Sequence, residues 1–290
     1  MKILVTGESG QLGSELKDLS VHYPNDTFVF VNRETMPLDD LSKVLEVIAT
    51  ENPDLIVSSG AYTAVDKAES EAELVDIVNH QAVATMAKWT KENGKKLIHI
   101  STDYVFQGNS STALKEDEPT DPINVYGLTK QKGEEAITAS GADAIILRTA
   151  WVYSSYGANF VKTMIRLMTE RDEISVIADQ IGSPTYARDL AQAILVISHS
   201  DKWERGIYHY SNDGEISWYD FAVAIRELVQ LDCKINPIPT EQYPTPAKRP
   251  KYSLLDKSKI KETFGVQVPE WRDSLSDALI KLKGNKKNKN

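Results

Sequence analysis

Short apolar runs alternate with amphipathic stretches through the first half of the chain. Lys2-Ile3-Leu4-Val5-Thr6 reads as a buried strand and leads, through a glycine-rich turn, into the helical pattern Ser14-Glu15-Leu16-Lys17-Asp18-Leu19. Further strands are expected at Phe28-Val29-Phe30-Val31, Leu55-Ile56-Val57-Ser58, Lys96-Leu97-Ile98-His99-Ile100-Ser101 and Ala144-Ile145-Ile146-Leu147-Arg148. Helices are expected between them at about residues 41–51 and 71–93 and around Tyr126. Buried strands separated by helices predict an α/β fold with a doubly wound parallel sheet and right-handed crossovers. After about residue 150 the pattern loosens and prolines accumulate between Pro237 and Pro250. Helices at about 159–169, 188–198 and 217–231 alternate there with short strands such as Ile174-Ser175-Val176 and Gly206-Ile207-Tyr208-His209. We therefore expect a sheet domain over residues 1–150, with segments returning to it from about 187–212, and a smaller substrate domain made mainly of residues 151–290.

The turn after the first strand is Gly7-Glu8-Ser9-Gly10-Gln11-Leu12-Gly13. Strand, glycine turn and helix in succession form the setting of a dinucleotide-binding loop, which makes the sheet domain an NAD(P)-binding Rossmann domain. Gly7 permits the tight turn, Gly10 lets the backbone approach a pyrophosphate, and Gly13 lets the helix pack closely on the strand. The pyrophosphate is expected on the free N–H groups of Gln11, Leu12 and Gly13 at the helix N-terminus. The second strand ends at Asn32-Arg33, with no acid to hold the 2′-hydroxyl of NAD. Arg33 suits a 2′-phosphate, or is a solvated arginine at a strand end; the first alternative makes NADPH the preferred cofactor, with NADH possible. Asp39-Asp40-Leu41 could meet the adenine amine or cap the next helix.

Tyr126 and Lys130 lie four residues apart, a spacing that puts both on one helix face. A phenol titrates near 10 in water, and a neighbouring ammonium lowers that value, giving a proton donor suited to carbonyl and alcohol chemistry. Ser101-Thr102-Asp103-Tyr104-Val105-Phe106 follows the carboxyl end of the fourth strand, the edge at which open α/β sheets bind ligands. A hydroxyl there can meet the Tyr126 phenol across a carbonyl. Composition narrows the field. The apolar runs are far short of the roughly 20 residues that span a bilayer. The first strand begins at residue 2, which leaves no secretory signal, and the single cysteine, Cys233, excludes an internal disulfide and fits a reducing cytoplasm. A net charge of −9 argues against nucleic-acid binding. The five histidines are scattered, no metal-ligand cluster stands out, and the basic run from Lys281 to Asn290 is expected to fray.

Several stretches together resemble the extended short-chain dehydrogenase/reductases that act on nucleotide sugars, and among these the dTDP-4-dehydrorhamnose reductase family. They are Thr6 to Gly13, Ala61-Tyr62-Thr63-Ala64-Val65-Asp66-Lys67-Ala68-Glu69, Ser101 to Phe106, Tyr126 to Lys130, Arg148-Thr149-Ala150-Trp151-Val152-Tyr153, Asp179-Gln180-Ile181-Gly182-Ser183-Pro184-Thr185 and Lys248-Arg249-Pro250. The resemblance spans nearly the whole chain. It implies that Thr102, Tyr126 and Lys130 form the catalytic triad: Tyr126 protonates the developing alkoxide, Lys130 bonds the nicotinamide ribose and lowers the Tyr126 pKa, and Thr102 orients the substrate carbonyl. It further implies that Ala61, Tyr62 and Thr63 line the cofactor, that Asp103 and Trp151 touch the sugar, and that Gln180, Thr185 and Arg249 serve the sugar nucleotide. Trp151 could equally be a core residue between domains, and Arg249 a surface arginine in a proline-rich loop. The implied reaction is NADPH-dependent reduction of the 4-keto group of dTDP-4-dehydro-6-deoxy-L-mannose by a monomer or homodimer.

Rival readings remain on the same scaffold. Sugar 4,6-dehydratases carry Asp-Glu after the catalytic threonine, whereas Asp103 is followed here by Tyr104, which disfavours dehydration. Epimerases are not separated by motif, and a regulatory subunit of methionine adenosyltransferase shares the fold and binds NADP without catalysis. Some reductases of the family bridge subunits through a metal held by carboxylates. Glu15 and Asp189 are candidates, but Arg188 stands where those members have an acid, so no metal is expected.

Overall fold

The computed structural model describes residues 1–287; residues 288–290, the end of the basic run, lie outside the described residues. The first half of the chain runs β1 (Lys2–Thr6), α1 (Gln11–Ser20), β2 (Thr27–Val31), α2 (Leu41–Glu51), β3 (Leu55–Ser58), α3 (Val65–Ala68), α4 (Ala72–Asp76), a π-helical turn (Ile77–Gln81), α5 (Ala82–Glu92), β4 (Lys96–Thr102), a 3₁₀ turn (Asp103–Val105), α6 (Val125–Ser140) and β5 (Asp143–Thr149). The second half runs β6 (Val152–Tyr153), α7 (Phe160–Glu170), β7 (Glu173–Ile177), β8 (Ile181–Gly182), β9 (Thr185–Tyr186), α8 (Ala187–Ser198), β10 (Gly206–Tyr210), β11 (Ile216–Ser217), α9 (Trp218–Val229), β12 (Lys234–Ile238), α10 (Ser258–Phe264) and α11 (Trp271–Lys287).

Six strands form one parallel sheet in the order β2-β1-β3-β4-β5-β10. Its central strands are apolar throughout, as in Leu55-Ile56-Val57-Ser58, where all four residues are buried. Such strands need cover on both faces. On one face Leu12, Leu16 and Leu19 of α1 pack with Leu190 and Ile194 of α8 and Ile260 of α10. On the other, Val44 and Ile48 of α2 pack with Met86 of α5 and Ile137 of α6. β2 and β3 flank β1 on opposite sides, so the sheet changes winding direction there, and the crevice opens at the carboxyl ends of the strands.

The segment after residue 150 divides its loyalties. β10 joins the sheet beside β5, and α8 covers it. A separate apolar cluster gathers Val161, Met164 and Met168 of α7, Phe221 and Ile225 of α9, and Leu275 of α11, around the parallel pair β7 and β12. Two expectations change. The helix expected over 71–93 is broken by the π-helical turn, one residue wider than α-helix spacing, at Ile77–Gln81. The basic run does not fray from Lys281: α11 continues to Lys287, and Lys281 pairs with Glu15 and Asp18 of α1.

Candidate active site

β1 delivers the chain into a turn that leaves no room for side chains. Gly7 has φ +76°, and a Cβ there would stand 2.9 Å from the Gly60 Cα at the end of β3. Gly10 is the N-cap of α1 and offers no side-chain cap, so the first-turn N–H groups face the crevice unengaged by the helix. Gln11 points elsewhere: its Nε2 donates to the Val152 carbonyl at 3.2 Å, and its Oε1 accepts from Asn159 at 2.9 Å. The glycine loop is thereby tied to the segment that enters the second cluster.

A cavity of about 970 Å³ runs from this loop to Trp151. Its walls include Gly7, Gly10, Gln11, Leu12, Gly13, Arg33, Asp39, Ala61, Tyr62, Thr63, Thr102, Asp103, Tyr126, Lys130 and Trp151. These are most of the residues expected at the site, drawn from the ends of five strands and from α1 and α6. A bare glycine turn, an open helix N-terminus and a guanidinium at the end of β2 suit a dinucleotide phosphate and its 2′ substituent.

Five expected residues are not in the wall. Asp40 caps α2, accepting from the Lys43 backbone at 3.0 Å, one of the two roles open to it, and Leu41 begins that helix. Gln180 is buried and donates to Thr240 at 3.1 Å. Thr185 is buried and donates to the Ala150 carbonyl at 2.6 Å, one residue before Trp151. Arg249 is engaged with Asp66 at 2.8 and 3.0 Å and with Thr245 at 2.6 Å, which braces the 245–249 loop against α3. Each of the four polar side chains among them has a protein partner.

α6 supplies Tyr126 and Lys130. Asn124 caps it, accepting from the Gly127 backbone at 2.8 Å, and also donates to the Lys248 carbonyl at 2.8 Å. Gly127 allows the close approach of α6 to the 3₁₀ turn: a Cβ there would lie 2.2 Å from the Tyr104 carbonyl oxygen. This contact brings Tyr126 to Thr102. Burial pushes the Tyr126 phenol up to about 12, with the Thr102 hydroxyl opposing and the Asp103 carboxylate adding to the rise. The phenol is thus raised rather than lowered, while the Lys130 ammonium points to the Ile100 carbonyl at 2.6 Å and to His99 Nε2 at 3.1 Å. Burial brings the Lys130 amine down to about 8, against the pull of Glu134 one turn further on. Glu134 is itself clamped by Arg148, at 2.7 Å.

Asp103 is buried, accepts from Thr102 at 3.0 Å and leaves Oδ2 without a hydrogen-bond partner among the described residues. Burial raises its carboxyl to about 6, opposed by the hydroxyls of Ser253 and Thr102. Trp151 both lines the cavity and packs: its ring stacks on Trp218 at 3.7 Å, and its backbone has φ +48°. A left-handed aromatic residue is strained, and such outliers cluster at ligand sites.

Three contributors escaped sequence reasoning. Gly60 completes the turn against Gly7. Asn79, on the π-helical turn, holds Tyr62 by both backbone groups, at 2.8 and 3.0 Å, a role with no sequence signal. His99, an imidazole inside an apolar strand run, was visible as an anomaly but had no assigned use.

Comparison with known proteins places the whole chain among nucleotide-sugar reductases. The dTDP-4-dehydrorhamnose reductase of Burkholderia thailandensis is 40% identical over 288 residues, covering 94% of this chain and 96% of that one. The crystal structure of a dTDP-4-dehydrorhamnose reductase from Clostridium acetobutylicum has a TM-score of 0.93 at 37% identity, covering 98% of this chain and 100% of that one. One from Bacillus anthracis, solved in complex with NADP, has a TM-score of 0.92 at 37% identity, covering 97% of this chain and 99% of that one. The family described as the RmlD substrate binding domain matches residues 1–283, and the chain belongs to that family.

Proposed function

We propose that the protein is a dTDP-4-dehydrorhamnose reductase that uses NADPH to reduce the 4-keto group of dTDP-4-dehydro-6-deoxy-L-mannose, giving dTDP-L-rhamnose. The observation that carries this reading is the meeting of Thr102, Tyr126 and Lys130 with the glycine turn in one cavity. The names of the similar proteins, one of them solved with NADP, support it.

The bound cofactor supplies a hydride to the carbonyl carbon. The residues of the chain do the rest. The first-turn N–H groups of α1 hold the pyrophosphate, and Arg33 holds the 2′-phosphate. Thr102 orients the substrate oxygen. Tyr126, protonated at neutral pH because its pKa stands near 12, gives that oxygen a proton. The Lys130 ammonium, held by the Ile100 carbonyl and His99, serves the cofactor side of the cavity, where the family resemblance puts the nicotinamide ribose. Asp103, whose carboxyl borders the cavity, and Trp151 meet the sugar. Gln180, Thr185 and Arg249 act by holding the walls. Enclosure in the cavity orders both partners for transfer.

Among the described residues no helix is long and apolar enough to cross a membrane. The single buried Cys233 supports a cytoplasmic location, and we take the working unit to be a monomer or homodimer.

The test is NADPH oxidation, followed at the nicotinamide absorbance, with the authentic 4-keto sugar nucleotide. Stoichiometric oxidation with formation of dTDP-rhamnose is expected. A folded, NADP-binding protein that oxidises no NADPH with this substrate overturns the reading.

A further inference from the structure

His99 sits in the middle of β4, fully buried, behind the cavity wall rather than in it. Its two ring nitrogens are both engaged. Nε2 is 3.1 Å from Lys130 Nζ, and Nδ1 is 3.1 Å from the Ser58 hydroxyl on β3. An ammonium can only donate, so Nε2 must accept from it, and the ring proton must then lie on Nδ1 and point to Ser58. Burial and the Lys130 charge hold the imidazole neutral by moving its pKa well below the ordinary value. A buried, neutral imidazole with a single allowed tautomer is a rigid acceptor.

We propose that His99 is a positioning residue: together with the Ile100 carbonyl it fixes the Lys130 ammonium in orientation and keeps it charged, leaving one N–H free to face the cofactor side of the cavity. An ammonium carries three donors. Two are spent on Ile100 and His99, at 2.6 and 3.1 Å, and the amine still lines the cavity. Without the imidazole, a buried amine would be left with one neutral acceptor on β4 and would lose charge more readily. The other charged groups around the amine are Glu134 on α6, which favours the ammonium, and Arg148 on β5, which occupies the Glu134 carboxylate. Ser58 acts one step further out, by fixing the tautomer.

The inference rests on the catalytic use of Lys130, but its first test does not require turnover. In protein labelled with ¹³C at the lysine ε-carbons, the Lys130 resonance is assigned by loss in Lys130→Met and titrated with pH. His99→Leu, which fills the space but accepts nothing, is expected to lower the Lys130 pKa by about one unit. His99→Gln, whose Oε1 stands near the position of Nε2, is expected to restore most of it. Ser58→Ala, a milder change that frees the tautomer, shifts it the same way and by less, and serves if His99→Leu does not fold. The basic limb of the kcat/KM profile for NADPH oxidation should move with the NMR value in each variant. A Lys130 pKa unchanged in His99→Leu, or in Ser58→Ala where only that variant folds, overturns the proposal and leaves His99 a packing residue. A shifted pKa in a protein that reduces no 4-keto sugar would sink the proposed function while leaving the His99–Lys130 coupling standing.

Discussion

Tyr126 and Lys130 sit one helical turn apart, as their spacing requires, yet they act on different partners. The phenol meets Thr102, and the amine meets β4. The Tyr126 phenol stands above its ordinary value, because burial dominates its surroundings. The phenol remains a proton donor, and Tyr126→Phe is expected to reduce kcat by about 10²–10⁴-fold while NADP binding, measured by fluorescence titration, persists. Lys130 is an ammonium below about 8 and a free amine above it. The kcat/KM for reduction should therefore fall as pH rises through about 8; a profile flat to about pH 10 would contradict that assignment. Asp103 has the opposite character. Its folded-state pKa is raised to about 6, so the unfolded chain releases this proton first and stability declines as pH rises from about 4 to about 6. Asp103→Asn removes that burden, and its melting temperature at neutral pH should exceed that of the parent by a few degrees while activity drops. These residue-level chemistries were half legible in advance. Residue type and spacing named Thr102, Asp103, Tyr126 and Lys130, but protonation depends on burial and on which neighbour each group faces.

Elements were legible where their pattern is local. Strands β1 to β5 announced themselves as apolar runs because both sheet faces are covered, and α2 was legible from 41–51 because Asp40 caps it. The helix over 71–93 was less so. Its π-helical turn at Ile77–Gln81 serves a contact with Tyr62 through Asn79, and nothing in the periodicity encodes a partner that distant in sequence. Close approach between elements is a further thing that spacing does not report. Gly127 lets α6 meet the turn after β4, and a methyl group there would stand 2.2 Å from a carbonyl oxygen. Gly127→Ala should cost about 1–3 kcal/mol in thermal or denaturant unfolding and lower kcat more than it raises KM, since the displaced helix carries the proton donor. Unchanged kcat in a folded Gly127→Ala protein would show that the helix tolerates the displacement.

At the scale of the whole molecule, the two clusters are joined through α1. Glu15 is fully buried and meets Ser154 at 2.6 Å, Arg188 at 3.4 Å and Lys281 of the last helix, while Tyr156 donates to Asp18 at 2.6 Å. The carboxylate considered as a metal ligand thus has two cations beside it, and chelator is expected to leave activity unchanged; loss of activity that magnesium restores would refute this. Removing Lys281 leaves a buried carboxylate with its weaker partner, and Lys281→Met should lower the melting temperature by roughly 4–8 °C with little effect on KM for NADPH. By itself the sequence determined the parallel sheet, the glycine turn and the family resemblance, because each is written in residues close along the chain. The tertiary structure alone decided which protein groups Arg249, Thr185 and Gln180 meet, that Lys281 belongs to a helix docked on α1, and that His99 stands behind Lys130. Those outcomes depend on which polar groups meet across folded elements, and burial, which sets both their charge and their partners, exists only once the chain has closed on itself.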